Sequence, residues 1–117
     1  MGGLIAVHAA QTRPDRFGLV ATQSGTFALG QNRVLRQFEL QEINTTRYHV
    51  IVGSYETAVG GVNGQTNNIL ENNRQLQQAL QQANLRHQYA EYPEGHSWGF
   101  WQAHIGSALA FLFDSAE

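Results

Sequence analysis

The stretch "RYHVIVGS" at residues 47–54 decides the fold. Tyr48, Val50, Ile51 and Val52 make a continuous run rich in β-branched side chains, and Gly53 ends it, so it reads as a strand. The same pattern recurs on either side. Upstream, "RFGLVATQSG" at 16–25 carries Phe17, Leu19 and Val20 as a short interior strand closed by Ser24-Gly25. Downstream, "RHQYAEYP" at 86–93 alternates and gives a third strand.

Helical patterns separate these strands. Residues 3–12 are apolar nearly all round, through Leu4, Ile5, Val7, Ala9 and Ala10, and Pro14 marks their end. "NRVLRQFELQEI" at 32–43 puts Val34, Leu35 and Phe38 on one stripe, with Leu40 as a further candidate. After a glycine-rich connection at 55–67, residues 68–83 place Ile69, Leu70, Leu76, Ala79 and Leu80 on one face. "SWGFWQAHIGSALAFLF" at 97–113 is the last helix, with Trp101, Ile105, Leu109 and Leu112 expected inward.

Strands that alternate with helices pair in parallel through right-handed crossovers, and helices cover both faces. The expectation is a three-layer α/β unit with an at least partly parallel sheet. Three strands bury little, and an apolar first strand belongs in a sheet interior rather than at an edge. The chain therefore reads as one unit, residues 1–117, that forms the later part of a larger fold.

Composition narrows the function classes. The 117 residues suffice for one small domain, and 42% of them are hydrophobic, enough for a packed core. A net charge of −2 and seven scattered arginines give no basic groove, so a nucleic-acid partner is not expected. Without cysteine there is neither a disulfide nor a thiolate metal site. His8, His49, His87 and His104 share no metal-like spacing, and no metal or cofactor is expected. No apolar run nears the ~20 residues that span a bilayer, and no basic segment precedes the first apolar stretch, so the reading is cytoplasmic with no membrane partner. "GGVNG" at 60–64 lacks a following Gly-Lys-Ser/Thr and reads as a mobile loop, not a phosphate cradle.

Ligands of parallel sheets bind beyond the carboxyl ends of the strands, so the residues there matter most. They are Gln23 to Thr26 after the first strand, Gly53 to Glu56 after the second, and Glu94 to Trp98 after the third. A carboxylate and then a histidine on successive strand ends is the acid and base of a triad in the chain order Ser, acid, His. The imidazole takes a proton from a nucleophile, and the carboxylate fixes its tautomer and stabilises the imidazolium. Parallel neighbours lie ~4.8 Å apart, close enough for Glu56 to meet His96. Glu91 and Glu94 are alternatives for the acid; Glu94, two residues from His96 on one turn, is poorly placed to hold the distal ring nitrogen. His96 could equally be a solvated turn histidine. Trp98 could form an apolar wall for a substrate, Trp101 fits the core beneath the histidine turn, and Ser24 reads as a polar strand closure rather than a nucleophile.

The chain resembles the C-terminal half of the enterochelin esterase and esterase D-like branch of the α/β-hydrolases. Met1-Gly2-Gly3-Leu4 matches the second half of that family's elbow, Gly-x-Ser-Met/Leu-Gly-Gly-Leu. Pro14, Phe17, Gly18, Ser24, Gly25 and Phe27 match its Pro-x-x-Phe-Gly, strand and Ser-Gly-Ser-Phe, with Thr26 departing. "VGSYE" resembles the Gly-x-x-Glu that carries the acid. "GHSWGFW" resembles Gly-His-Asp-x-x-x-Trp, with Ser97 in place of the acidic residue. The resemblance spans essentially the whole chain.

It implies a serine ester hydrolase working through an acyl-enzyme, with His96 as base and Glu56 as its orienter. The backbone N–H of Met1 would contribute to the oxyanion hole. Small-molecule substrates would include siderophore trilactones, acyl esters or small thioesters. The nucleophilic serine would fall immediately before Met1, outside this sequence, so the 117 residues alone are expected to be inactive. The first strand would lack a neighbour, which implies a homo-oligomer or pairing with the missing N-terminal half. The alternative is a non-catalytic α/β binding or interaction module that has lost the elbow.

Overall fold

A computed structural model describes residues 1–42, 44–61 and 64–114. Helix α1 (Gly2–Thr12) leads to β1 (Leu19–Gln23), α2 (Leu29–Gln37) and a 3-10 turn at Phe38–Leu40. Strand β2 (Arg47–Gly53) follows, then a two-residue hairpin of β3 (Val59–Gly60) and β4 (Thr66–Asn67). Helix α3 (Ile69–Gln82), strand β5 (Arg86–Tyr92) and helix α4 (Trp98–Leu112) complete the order. Val62 and Asn63, in the stretch expected to be a mobile loop, lie outside the described residues.

The main sheet has the order β1-β2-β5, and both pairings are parallel. The largely apolar β2, broken only by His49, occupies the centre, where both faces are covered; every residue from Tyr48 to Gly53 is buried. Side chains alternate along the strands, so each face has its own layer. On one face Val20, Tyr48 and Val50 join Leu4, Val7 and Ala10 of α1, Val34 and Leu35 of α2, and Leu76 and Leu80 of α3. On the other, α4 lies across β1 and β2, where Phe111 packs against His49. The chain is thus a three-layer α/β unit. No helix among the described residues is long and apolar enough to cross a membrane.

Three details depart from the sequence expectation. Leu40 is exposed on the 3-10 turn, because the stripe of α2 ends with Phe38. Helix α2 also begins with three left-handed residues, Gly30, Gln31 and Asn32, so its regular part is shorter than the pattern implies. In α4 the buried residues are Phe100, Ala108 and Leu112, whereas Ile105 and Leu109 are about half exposed. That helix is apolar on nearly every side, and periodicity alone cannot choose its inward face.

Strand β1 pairs only with β2 and forms one edge of the described sheet, with Leu19 exposed there. Beyond its end the chain packs closely. A Cβ on Gly3 would come within 3.0 Å of the Gly25 Cα, and one on Gly25 within 2.7 Å of the Phe27 ring. Glycine at both positions lets the first turn of α1 sit against the carboxyl end of β1. Asn73 of α3, fully buried, donates to the Gly25 carbonyl at 2.8 Å, and Asn72 accepts from the Phe27 N–H at 2.7 Å. The turn after β1 is therefore held from both sides.

Candidate active site

Gly53, the last residue of β2, brings the site together. A Cβ there would lie 2.0 Å from the Glu94 carbonyl oxygen and 3.0 Å from Glu56 Oε2, so only glycine fits. The close approach lets Tyr55 N–H bond to the Glu94 carbonyl and Ser54 N–H to that of Tyr92. The loop after β2 and the loop after β5 are thereby stitched together. The first carries Glu56 on a tight turn, its N–H bonded to the Gly53 carbonyl, and the second carries His96.

Glu56 is completely buried. Its Oε1 lies 2.6 Å from His96 Nδ1, and its Oε2 accepts from the Gly53 N–H at 2.7 Å and from the Ser24 hydroxyl at 2.6 Å. Burying a carboxylate is costly unless donors satisfy it, and here both oxygens are satisfied. A carboxylate only accepts, so the hydrogen of this bond resides on Nδ1, which leaves Nε2 as the acceptor nitrogen. The His96 side chain is 39% exposed, so the buried carboxylate holds an imidazole that solvent reaches. Together they can accept a proton from a hydroxyl and hold the resulting imidazolium.

The competing carboxylates have other partners. Glu91 forms a two-pronged pair with Arg74 at 2.8 and 2.9 Å and accepts from the Tyr89 hydroxyl. The Arg74 guanidinium holds the Glu91 carboxyl below its usual range. Glu94 lies 3.5 Å from His104 Nε2. His104 in turn stacks on Tyr92 with ring centroids 3.8 Å apart. No group of three potential ligands that could hold a metal occurs among the described residues.

Ser97 caps α4 by accepting from the Phe100 N–H, which positions the helix directly after His96. A capping oxygen is what Asp or Ser can both supply, so the departure at this position keeps the local geometry. Trp98, the first residue of α4, is 75% exposed and stands edge-on to Trp101 at 5.4 Å. Trp101 is half-buried rather than core, and Phe100 fills the space beneath. Met1 is exposed at the start of α1, whose Gly3 touches the Gly25 turn beside Ser24.

Ser24 is the residue whose place the sequence concealed. It is buried, takes a left-handed backbone (φ 54°), and links Glu56 to the indole N–H of Trp101 at 2.9 Å. Its position one residue beyond β1, beside the strand that carries the acid, was the available signal.

The family described as "Putative esterase" matches residues 1–112. Solved structures share the fold: a ferulic acid esterase (TM-score 0.73, 18% identity, 96% of this chain and 47% of that one); the enterochelin esterase of Shigella flexneri (0.72, 22%, 97% and 28%); and the siderophore hydrolase EstB of Aspergillus nidulans (0.67, 18%, 97% and 46%). The chain spans less than half the length of each of these structures. No curated protein matches it.

Proposed function

The chain belongs to the family described as "Putative esterase", and on that footing we propose that it supplies the acid and base of a serine ester hydrolase. The observation that carries this reading is the 2.6 Å bond between His96 Nδ1 and the fully buried Glu56. His96 Nε2 takes the proton of a serine hydroxyl as that oxygen attacks the ester carbonyl, and returns it to the leaving alcohol. A water then repeats the cycle and releases the acid. Glu56 keeps Nδ1 protonated and stabilises the imidazolium at both stages.

The serine occupies the position just ahead of Met1, outside this sequence, and the Met1 N–H contributes to the oxyanion hole at the head of α1. Ser24 is unsuited to attack, because its hydroxyl is buried and already donates to Glu56. Substrates are small esters, and the exposed ring of Trp98, two residues after His96 and edge-on to Trp101, favours those that present a flat aromatic or acyl surface. The names of the structural neighbours, esterases of ferulic acid and enterochelin and a siderophore hydrolase, agree with that choice.

Hydrolysis of p-nitrophenyl acetate tests the proposal in two forms of the polypeptide. The 117-residue chain should not exceed a free-imidazole background. A polypeptide that continues upstream through a strand ending Gly-x-Ser ahead of Met1 should show saturable turnover. Saturable activity of the 117 residues that disappears in Ser24→Ala would contradict the assignment.

A further inference from the structure

Two donors meet on Glu56 Oε2, but only the Gly53 N–H is fixed by the backbone. The Ser24 hydroxyl carries one hydrogen that can rotate, so something must direct it. Trp101 does so. An indole N–H can only donate, and Trp101 Nε1 points at Ser24 Oγ from 2.9 Å. With that lone pair occupied, the hydroxyl hydrogen is left for Glu56, 2.6 Å away. The same indole stands edge-on to the His96 ring, with centroids 4.7 Å apart and planes at 88°. Trp101 thus touches the base directly and the acid through Ser24.

The backbone points the same way. A left-handed residue is most easily glycine, and a serine there carries conformational strain. A serine in that conformation, buried and bonded at both ends, is explained by what its hydroxyl does.

We propose that Ser24 and Trp101 are positioning residues, whose bond Trp101 Nε1–H to Ser24 Oγ–H to Glu56 Oε2 fixes the carboxylate so that Oε1 faces His96. This rests on the reading of Glu56 and His96 as acid and base. Without the relay the carboxylate keeps one fixed donor on Oε2 and is free to swing about it. The Nδ1 bond then loosens, although neither Ser24 nor Trp101 meets the substrate.

Nuclear magnetic resonance of the ¹⁵N-labelled 117-residue chain reads this without any hydrolysis, through the His96 Nδ1–H signal, its exchange with water and the ring tautomer. The wild type should show a protected Nδ1–H. In Ser24→Gly, which suits the left-handed backbone, and in Trp101→Phe, which keeps a ring, exchange should quicken roughly tenfold, the equivalent of one ordinary hydrogen bond. The thermal midpoint of Ser24→Gly should stay within a few degrees of the wild type, a shift of about 1 kcal/mol or less. A variant that merely loosened the fold would lower the midpoint and leave the tautomer intact. If Trp101→Phe fails to fold, Ser24→Gly decides alone. A protected Nδ1–H unchanged in the folded variants would overturn the positioning role, whereas its absence from the wild type would overturn the acid–base reading itself.

Discussion

Gly53 shows how one residue can build a site it never enters. Its missing side chain admits the Glu94 carbonyl and Glu56 Oε2 to the same small space, and the loops carrying Glu56 and His96 close on it. Gly53→Ala should therefore cost about 1–3 kcal/mol in denaturant unfolding, the usual range for an overpacked site, and should also break the His96–Glu56 bond. A variant as stable as the wild type would show that the two loops can part without penalty. Four residues before Gly53 in β2, burial first and the nearby His104 second hold the His49 imidazolium below its usual pKa. The sign follows from proton binding. Below about pH 6.5 the unfolded chain takes up a proton that the native state resists, so stability falls as the pH drops from there towards the depressed native value. His49→Leu should flatten that acid limb in urea midpoints taken between pH 7 and pH 5; an unchanged slope would assign it to another group. His96 and Glu56 were legible in the sequence because strand ends announce them. Ser24 and Trp101 stand out there as well, but as a strand closure and a core ring, because each residue type has such ordinary uses and only the structure shows the bonds that join them to Glu56.

At the scale of elements, the sequence shows strands better than helix faces. The mostly apolar, β-branched run of β2 reads as an interior strand, and the structure puts it between β1 and β5. Helix α3 also matched its pattern, since Leu76 and Leu80 are buried and polar glutamines occupy the far side. Helix α4 did not, because apolar residues nearly encircle it and the choice of Phe100 over Ile105 is made by what it packs against, Tyr92 among others. Helix α3 contributes more than a covered face. Through Asn73 it reaches the Gly25 carbonyl, next to the serine of the relay. Asn73→Ala removes that donor and leaves a buried carbonyl unpaired, so it should lower stability by about 1–3 kcal/mol in equilibrium unfolding. A change below ~0.5 kcal/mol would mean that water replaces the amide there.

At the scale of the whole molecule, α4 is the one helix among the described residues that covers its face of the sheet, and the outer edge of β1 runs beside it. Among the described residues β1 has no partner on that side, and Leu19 on that edge with Ile105 and Leu109 on α4 adds apolar surface to it. The expectation is association through this side, either with a second copy or with a polypeptide carrying the preceding strands. Sedimentation at micromolar concentration should show more than a monomer for the 117 residues alone, and a stable monomer would remove the inference. The central claim is that acid and base lie in this chain while the serine precedes it. Its most direct test is ester hydrolysis by the polypeptide extended upstream through Gly-x-Ser, with one histidine and one carboxylate varied in turn. His96→Ala should lower kcat by roughly 10⁶-fold, as loss of a triad base does, while Glu94→Ala stays within a few-fold of the parent. Equal losses from the two variants, or full activity without His96, would contradict the account.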